Sequence, residues 1–114
     1  MQLEYNKGIL FIRLKGKLDR AISKKINFFL VPKVLEQKIK YVVINLYEVT
    51  DIDIYGLDSL LNLKCAVKSI KGKICLCETS KIINQKINHF QIERVENEMK
   101  AFDVIGSIIW KMKI

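Results

Sequence analysis

The sequence has few of the residues on which catalysis or metal binding depends. It holds one histidine, His89, and among its 114 residues no histidine–cysteine spacing typical of a metal site. It also lacks a glycine-rich phosphate loop and a Ser/His/Asp set, and its carboxylates gather in one segment without a basic partner. We therefore expect no metal, no cofactor and no enzymatic activity, with His89 as a surface or partly buried residue.

Cysteine is also scarce, and its pattern argues against disulfides. Cys65 stands alone, while Cys75 and Cys77 alternate with Leu76 and so point the same way from one predicted strand. Neighbouring same-face positions rarely form a disulfide, and the count of three is odd. The sequence predicts buried free thiols and thus a reducing compartment.

Long apolar runs are absent as well. No stretch approaches the ~20 uncharged apolar residues that a membrane-spanning helix needs, and residues 1–5 lack the basic-then-apolar pattern of a signal peptide. We expect a cytoplasmic protein without membrane insertion. Half of its residues are hydrophobic and 28% are charged, which is sufficient for one folded domain over residues 1–114.

Positive charge is plentiful but unevenly placed. The net charge is +8, of which residues 1–40 carry +7 and residues 41–114 carry +1. Such a balance invites a nucleic-acid partner, but no motif interleaves the cations with stacking aromatics, and one short segment would repel phosphates. We therefore expect no nucleic-acid binding. The acidic residues of that segment are Glu48, Asp51, Asp53 and Asp58.

The first third of the chain has the pattern of a hairpin followed by a helix. Alternation around Leu3, a turn at residues 6–8 and an apolar run over residues 9–14 predict two antiparallel strands. Residues 15–19 are expected to leave the strand, with Asp19 as the helix N-cap. Pro32 should kink or break this helix near Val31. Its predicted inner residues are Ile22, Ile26, Phe29, Leu30 and Val34.

The rest of the chain alternates strands and helices. Strands are predicted at residues 41–46, 73–78 and 91–95, and residues 47–53 are expected to form a loop. Helices follow each of these strands, capped in the last two cases by Thr79 or Ser80 and by Asn97. The order β-β-α-β-α-β-α-β-α predicts an α/β fold whose central mixed sheet has four or five strands. The first hairpin is antiparallel, the remainder is largely parallel, and about four helices cover the sheet.

The residues on or near the predicted inner faces of these later helices are mostly apolar and many lie three or four positions apart. They comprise Leu57, Leu60, Leu61, Lys64, Cys65 and Val67 in the second helix, Ile82, Ile83 and Ile87 in the third, and Met99, Phe102, Val104 or Ile105, and Ile108 in the last.

Three segments resemble the STAS domain, the fold of sulfate transporters and anti-sigma-factor antagonists. Residues 9–19 (ILFIRLKGKLD) are similar to the family's apolar strand followed by Gly-x-Leu-Asp. Residues 41–57 (YVVINLYEVTDIDIYGL) are similar to its central strand and the loop that usually ends Asp-Ser-Ser-Gly-Leu. Residues 71–77 (KGKICLC) are similar to its glycine-led fourth strand. The resemblance implies a single STAS-like domain.

The resemblance also implies a function. Stand-alone members act in bacterial partner switching, a form of transcription regulation in which the unmodified antagonist binds a serine-kinase anti-sigma factor. Phosphorylation of the second serine in Asp-Ser-Ser-Gly-Leu breaks that complex. Here the motif is Asp53-Ile54-Tyr55-Gly56-Leu57, so Tyr55 occupies the phosphoacceptor position and the expected serine is missing.

These residues have structural as well as functional interpretations. Asp19 and Asp53 are expected to be helix N-caps that also contact a partner, and Gly56 should serve close packing or loop geometry. Ile54 and Tyr55 form either an exposed partner anchor or part of the core. Ser59 and Thr50 are the nearest alternative phosphoacceptors. By resemblance, the partner-binding residues are Asp19, Asp53, Ile54, Tyr55, Gly56, Leu57 and Asp58.

The sequence thus leaves two functions open. The first is a protein-binding antagonist that is not phosphorylated at the usual position. The second is a non-switching STAS scaffold or self-association module in a transporter- or envelope-associated complex, in which case the chain forms a homo-oligomer.

Overall fold

A computed structural model describes residues 1–113 of the chain and the side chains of residues 1–109; Ile114, the end of the predicted domain, lies outside. Five strands form one sheet in the order β1-β2-β3-β4-β5. The β1–β2 pair is antiparallel and the other pairs are parallel, which confirms the predicted mixed sheet. The strands are β1 Gln2–Asn6, β2 Ile9–Leu18, β3 Tyr41–Ile52, β4 Lys73–Cys77 and β5 Glu93–Val95.

The two central strands are longer than predicted. Residues 15–18 and 47–52, expected to lie outside the strands, continue β2 and β3 and pair with each other, Leu18 opposite Ile52. Two register shifts, on either side of Lys15–Gly16, accommodate the extension. The prediction was wrong because each extension obtains its hydrogen-bond partners from the other, and neither is strongly apolar by itself.

The helices number as predicted if the first is counted as one continuous helix over residues 20–37. It contains α1 Arg20–Lys25, a π-helical segment Ile26–Leu30 and α2 Val31–Gln37. The others are α3 Ile54–Ser69, α4 Lys81–Lys86 and α5 Glu98–Lys113. Within residues 1–113, no helix combines the length and the apolarity that crossing a bilayer requires.

Of the predicted kink or break near Val31, the break is wrong, because Pro32 does not end the first helix. The chain stays helical through it, and the turn before it is widened instead: the Val31 N–H donates to the carbonyl of Ile26, five residues back. Pro32 lies in the first turn of α2, where a missing N–H is tolerated. The proline is thus absorbed by a π turn.

The sheet is covered on both faces. Alternate residues of β2 point to opposite sides, Leu10 and Ile12 into the larger core and Ile9 and Phe11 into the smaller one. The larger core includes residues of the first helix, α3 and α4, and the smaller one includes residues of α5. The predicted common direction of Cys75 and Cys77 is correct, since both lie in the smaller core.

Several predicted inner residues are exposed instead. In α3 the buried positions include Leu63 and Ala66, whereas Leu61 and Cys65 face solvent, so Cys65 is not the buried thiol that was expected. The apolar residues of this helix surround it on several sides, so the buried face shares Leu60 and Val67 with the predicted face but differs from it at other positions. Phe29, Ile82 and Met99 are likewise exposed.

A charged network fastens α5 to the sheet. The Arg13 guanidinium of β2 donates to both carboxylate oxygens of Glu98, at 2.7 and 2.6 Å, and Asn45 Nδ2 donates to Glu98 Oε2 at 2.7 Å. Glu4 is a second ion-pair partner of Arg13. The Arg13 guanidinium, followed by the Asn45 amide, lowers the pKa of Glu98 below its ordinary value despite partial burial.

Candidate functional site

The candidate site lies where the extended strands β2 and β3 end side by side. Their last residues, Leu18 and Ile52, are register partners, and each is followed at once by an aspartate that begins a helix. Because the two strands are parallel, both aspartates lie at the same edge of the sheet. The structure thereby brings together Asp19 and Asp53, which are 34 positions apart in the sequence.

Both aspartates are N-caps, as predicted. Asp19 Oδ1 accepts from the backbone N–H groups of Ala21 and Ile22, at 3.1 and 3.3 Å. Asp53 Oδ1 accepts from those of Tyr55 and Gly56, at 2.9 and 3.0 Å. Each carboxylate therefore satisfies two backbone donors that the first helical turn leaves unpaired.

Gly56 allows α3 to contact the sheet closely. A Cβ at this position would lie 2.3 Å from the Leu18 carbonyl oxygen, 2.8 Å from Leu18 Cβ and 2.9 Å from Ile52 Cγ1. No side chain fits there without moving the backbone of β2. The packing interpretation of Gly56 is correct, and Leu57 beside it is half-buried against the larger core.

The two residues between Asp53 and Gly56 form an exposed tip. Ile54 is 74% exposed and Tyr55 is 47% exposed, so neither belongs to the core. The Arg20 guanidinium lies 5.4 Å from the centroid of the Tyr55 ring, a cation–π distance that joins the first turns of α1 and α3. Asp58, one turn further on, is exposed.

The two alternative hydroxyls have different environments. Ser59 is fully buried, and its Oγ donates to the Gly56 carbonyl at 2.8 Å, so a kinase could reach it only after α3 opened. Thr50 is exposed, but it lies within β3 and outside the helix start. At the helix start the exposed hydroxyl is that of Tyr55.

Sequence reasoning missed two cations at this edge. Arg20 follows the predicted cap directly, and only the fold places it over Tyr55. Lys86, in the last turn of α4, forms an ion pair with Asp51. The Lys86 ammonium, with the Ile52 N–H, lowers the pKa of Asp51. The acidic segment is therefore partly neutralised by a residue 35 positions away.

The arrangement offers a contact surface, and the described residues include no group of three or more His, Cys, Asp or Glu that could hold a metal ion. On this contact surface, the exposed apolar tip is flanked by carboxylates and one guanidinium. Such a surface suits the burial of an anchor residue in the pocket of another protein.

Comparison with known proteins identifies the fold family. Residues 1–108 match the STAS domain. The chain belongs to the STAS domain family. This STAS domain is 19% identical over 105 residues to the anti-sigma F factor antagonist of Paenibacillus polymyxa, a match that covers 89% of this chain and 90% of the relative.

Solved structures agree with this assignment. The anti-sigma factor antagonist SpoIIAA in its unphosphorylated form superposes with a TM-score of 0.78 at 21% identity, covering 91% of this chain and 96% of that one. A sulfate transporter family protein from Wolinella succinogenes gives a TM-score of 0.65 at 18% identity, over 75% and 68% of the two chains. At these identities the likeness concerns the fold, and the predicted STAS fold is confirmed.

Proposed function

We propose that this STAS domain is an anti-sigma-factor antagonist that binds a kinase-fold anti-sigma factor and is not released by phosphorylation at the usual position. The observation that carries the proposal is the exposed Ile54–Tyr55 tip on the capped start of α3, where the family motif has two serines. The names of its relatives support the general role. The protein acts by binding, and we assign it no catalytic step.

The binding surface in this proposal is the paired-cap surface, which consists of the exposed or half-buried residues around the two aspartate caps. Its apolar tip supplies an anchor, and its carboxylates and guanidinium give the anchor a polar surround. Gly56 and Leu57 contribute by seating α3 on the sheet, which fixes the position of the tip. The members of the surface are Asp19, Arg20, Asp53, Ile54, Tyr55 and Asp58.

Tyr55 explains the proposed insensitivity to the kinase. A serine hydroxyl is one carbon from the backbone, whereas the tyrosine hydroxyl is at the far end of an aromatic ring. A kinase site shaped around serine brings its γ-phosphate to the short position, because phosphoryl transfer depends on an in-line approach. The Arg20 guanidinium also lies 5.4 Å from the centroid of that ring.

The direct test uses the full chain and the kinase-fold anti-sigma factors of the same organism. The proteins are incubated with ATP, the intact mass is followed, and binding is measured in parallel by calorimetry. We expect a complex that persists in ATP, with no added phosphoryl group. A phosphorylated chain, or no complex with any of these kinases, contradicts the proposal.

A pair of variants tests the role of position 55. The double substitution Ile54→Ser with Tyr55→Ser restores the family motif, so we expect it to be phosphorylated and then released. Tyr47→Ser is the matched control because Tyr47 is 75% exposed on β3, away from both helix starts. Phosphorylation of the control as well would show that the acceptor lies elsewhere.

A second set of variants separates charge from capping at Asp53. Asp53→Lys places a cation in the surface and should abolish binding, whereas Asp53→Asn keeps an oxygen that can cap the helix. We expect the asparagine variant to fold normally and to bind more weakly than the wild type. A complex that survives the charge reversal would contradict the proposed surface.

The scaffold function remains the second candidate. Its support is the fold likeness to the Wolinella transporter family protein. It predicts a tight homodimer in sedimentation velocity and no complex with the kinase-fold proteins, the opposite of the result expected above.

A further inference from the structure

The first helix presents an aromatic–lysine face to solvent. Phe28 is 79% exposed and Phe29 is 55% exposed, both on the π-helical segment, and Leu35 is 42% exposed one turn into α2. Burial of two adjacent exposed phenylalanines against a partner would be favourable, because it removes apolar surface from water. The face consists of Lys24, Lys25, Phe28, Phe29, Lys33 and Leu35.

The same helix carries much of the excess positive charge. Residues 20–37 contain four lysines and arginines against one acid, Glu36. Lys24 and Lys25 are exposed, and none of the ion pairs among the described side chains involves them. The Lys33 ammonium lies 5.9 Å from the centroid of the Phe29 ring. Cations therefore stand on both sides of the aromatic pair along the helix.

We propose that the aromatic–lysine face docks the protein on an anionic lipid bilayer surface. The phenylalanines would enter the boundary between headgroups and acyl chains, while the flexible lysine stems keep their ammonium groups at the level of the lipid phosphates. This is peripheral binding, without a membrane-spanning segment.

Charge complementarity and the exposed aromatic pair favour a lipid surface over a nucleic-acid partner. A helix of 18 residues is about 27 Å long, and its cations are spread along it, which suits a broad anionic plane. A duplex would use the lysines but has no place for two protruding phenylalanines outside a base stack. The proposal rests on this face alone and does not depend on the paired-cap surface.

The test is flotation of the full chain with vesicles. Phosphatidylcholine vesicles are compared with vesicles that also contain phosphatidylglycerol, and we expect recovery with the anionic vesicles only, weakening as salt is raised. Phe28→Ser with Phe29→Ser, and separately Lys24→Glu with Lys25→Glu, should each lower the partition coefficient roughly tenfold or more.

Matched controls change the same chemistry elsewhere. Met99→Ser removes an exposed apolar side chain from α5, where Met99 is 76% exposed, and Lys68→Glu with Lys81→Glu makes the same charge change on α3 and α4. The Met99 variant should leave vesicle binding near the wild-type level, and the Lys68/Lys81 variant should bind more tightly than the Lys24/Lys25 variant.

Three results would overturn the proposal. The first is no recovery of the wild type with anionic vesicles, and the second is unchanged binding of the double phenylalanine variant. The third is a wild type that dimerises and does not bind vesicles, together with a double phenylalanine variant that no longer dimerises. That result would assign the face to a second copy of the chain. All the substituted side chains are exposed, so circular dichroism should show a native fold for each variant.

Discussion

The backbone N–H of Asp53 donates to the carbonyl oxygen of Leu18 at 3.1 Å. This bond continues the pairing of β2 and β3 up to the start of α3. One backbone hydrogen bond therefore links the end of β2, next to the start of α1, with the start of α3. The same carbonyl is the atom that a Cβ on Gly56 would strike. The geometry of the candidate site is thus fixed at the end of β2.

Gly56→Ala should destabilise the protein by about 2 kcal/mol, because the added methyl group meets backbone that has little room to move. The free energy of unfolding from urea titration measures the loss. Gly106→Ala is the matched control, since a Cβ at Gly106 in α5 has no heavy atom within 4 Å. That substitution should be neutral or stabilise by up to ~1 kcal/mol. Equal destabilisation of both variants would refute the packing role.

Asp53→Ala should cost about 1 kcal/mol of folding stability because two backbone donors of α3 lose their acceptor. Asp53→Asn should cost only a few tenths of this, since its amide oxygen can accept the same bonds. Thermal and urea unfolding of the two variants distinguish the cap from the charge. If Asp53→Asn lost more stability than this, the carboxylate would be needed for a reason other than capping.

Glu98→Gln should lower stability at neutral pH by about 1–2 kcal/mol, because Arg13 loses one of its two charged partners among the described residues and keeps only Glu4. The pKa of Glu98 is lowered in the folded state, so its stabilising effect is present above the ordinary glutamate pKa. The effect is lost as the pH falls through the lowered value. The gap between wild type and variant should therefore shrink in urea titrations as the pH is lowered below the ordinary glutamate pKa. A gap independent of pH would contradict this.

Native thiol labelling should modify one cysteine of three. Cys65 is exposed, whereas burial, reinforced by Glu93, raises the pKa of Cys75 to about 11, and burial likewise raises that of Cys77 to about 12. Thiolates are the reactive form, so the two strand cysteines should react only after unfolding. Intact mass after iodoacetamide measures this, and Cys65→Ser should abolish the native reaction. Rapid labelling of three thiols would contradict the buried positions.

The helix starts and the order of elements could be predicted from the sequence because they depend on local chemistry. Aspartate before an apolar helix is a cap whatever surrounds it, and Asp19 and Asp53 both behave so. The face of α3 could not be chosen in this way. Gly56 must contact β2, and from it Leu60, Leu63 and Val67 follow at helical spacing into the core.

The missed features of the site are those that depend on distant residues. The extension of β3 over residues 47–52 exists because residues 15–18 pair with it, and Lys86 reaches Asp51 only through the placement of α4. The sequence did not decide whether Ile54 and Tyr55 are exposed, because isoleucine and tyrosine also occur in protein cores. Their position at a helix start beside the sheet edge decides it.

The π turn at Ile26–Leu30 also affects how this chain should be compared with its relatives. A π turn is what one additional residue produces when it enters an α-helix without shifting the turns on either side. Deleting a single residue there would remove the bulge yet leave both flanking halves in phase with the core. A one-residue gap inside this helix is therefore compatible with an unchanged fold, and alignments that forbid gaps in helices would shift every residue on one side of it.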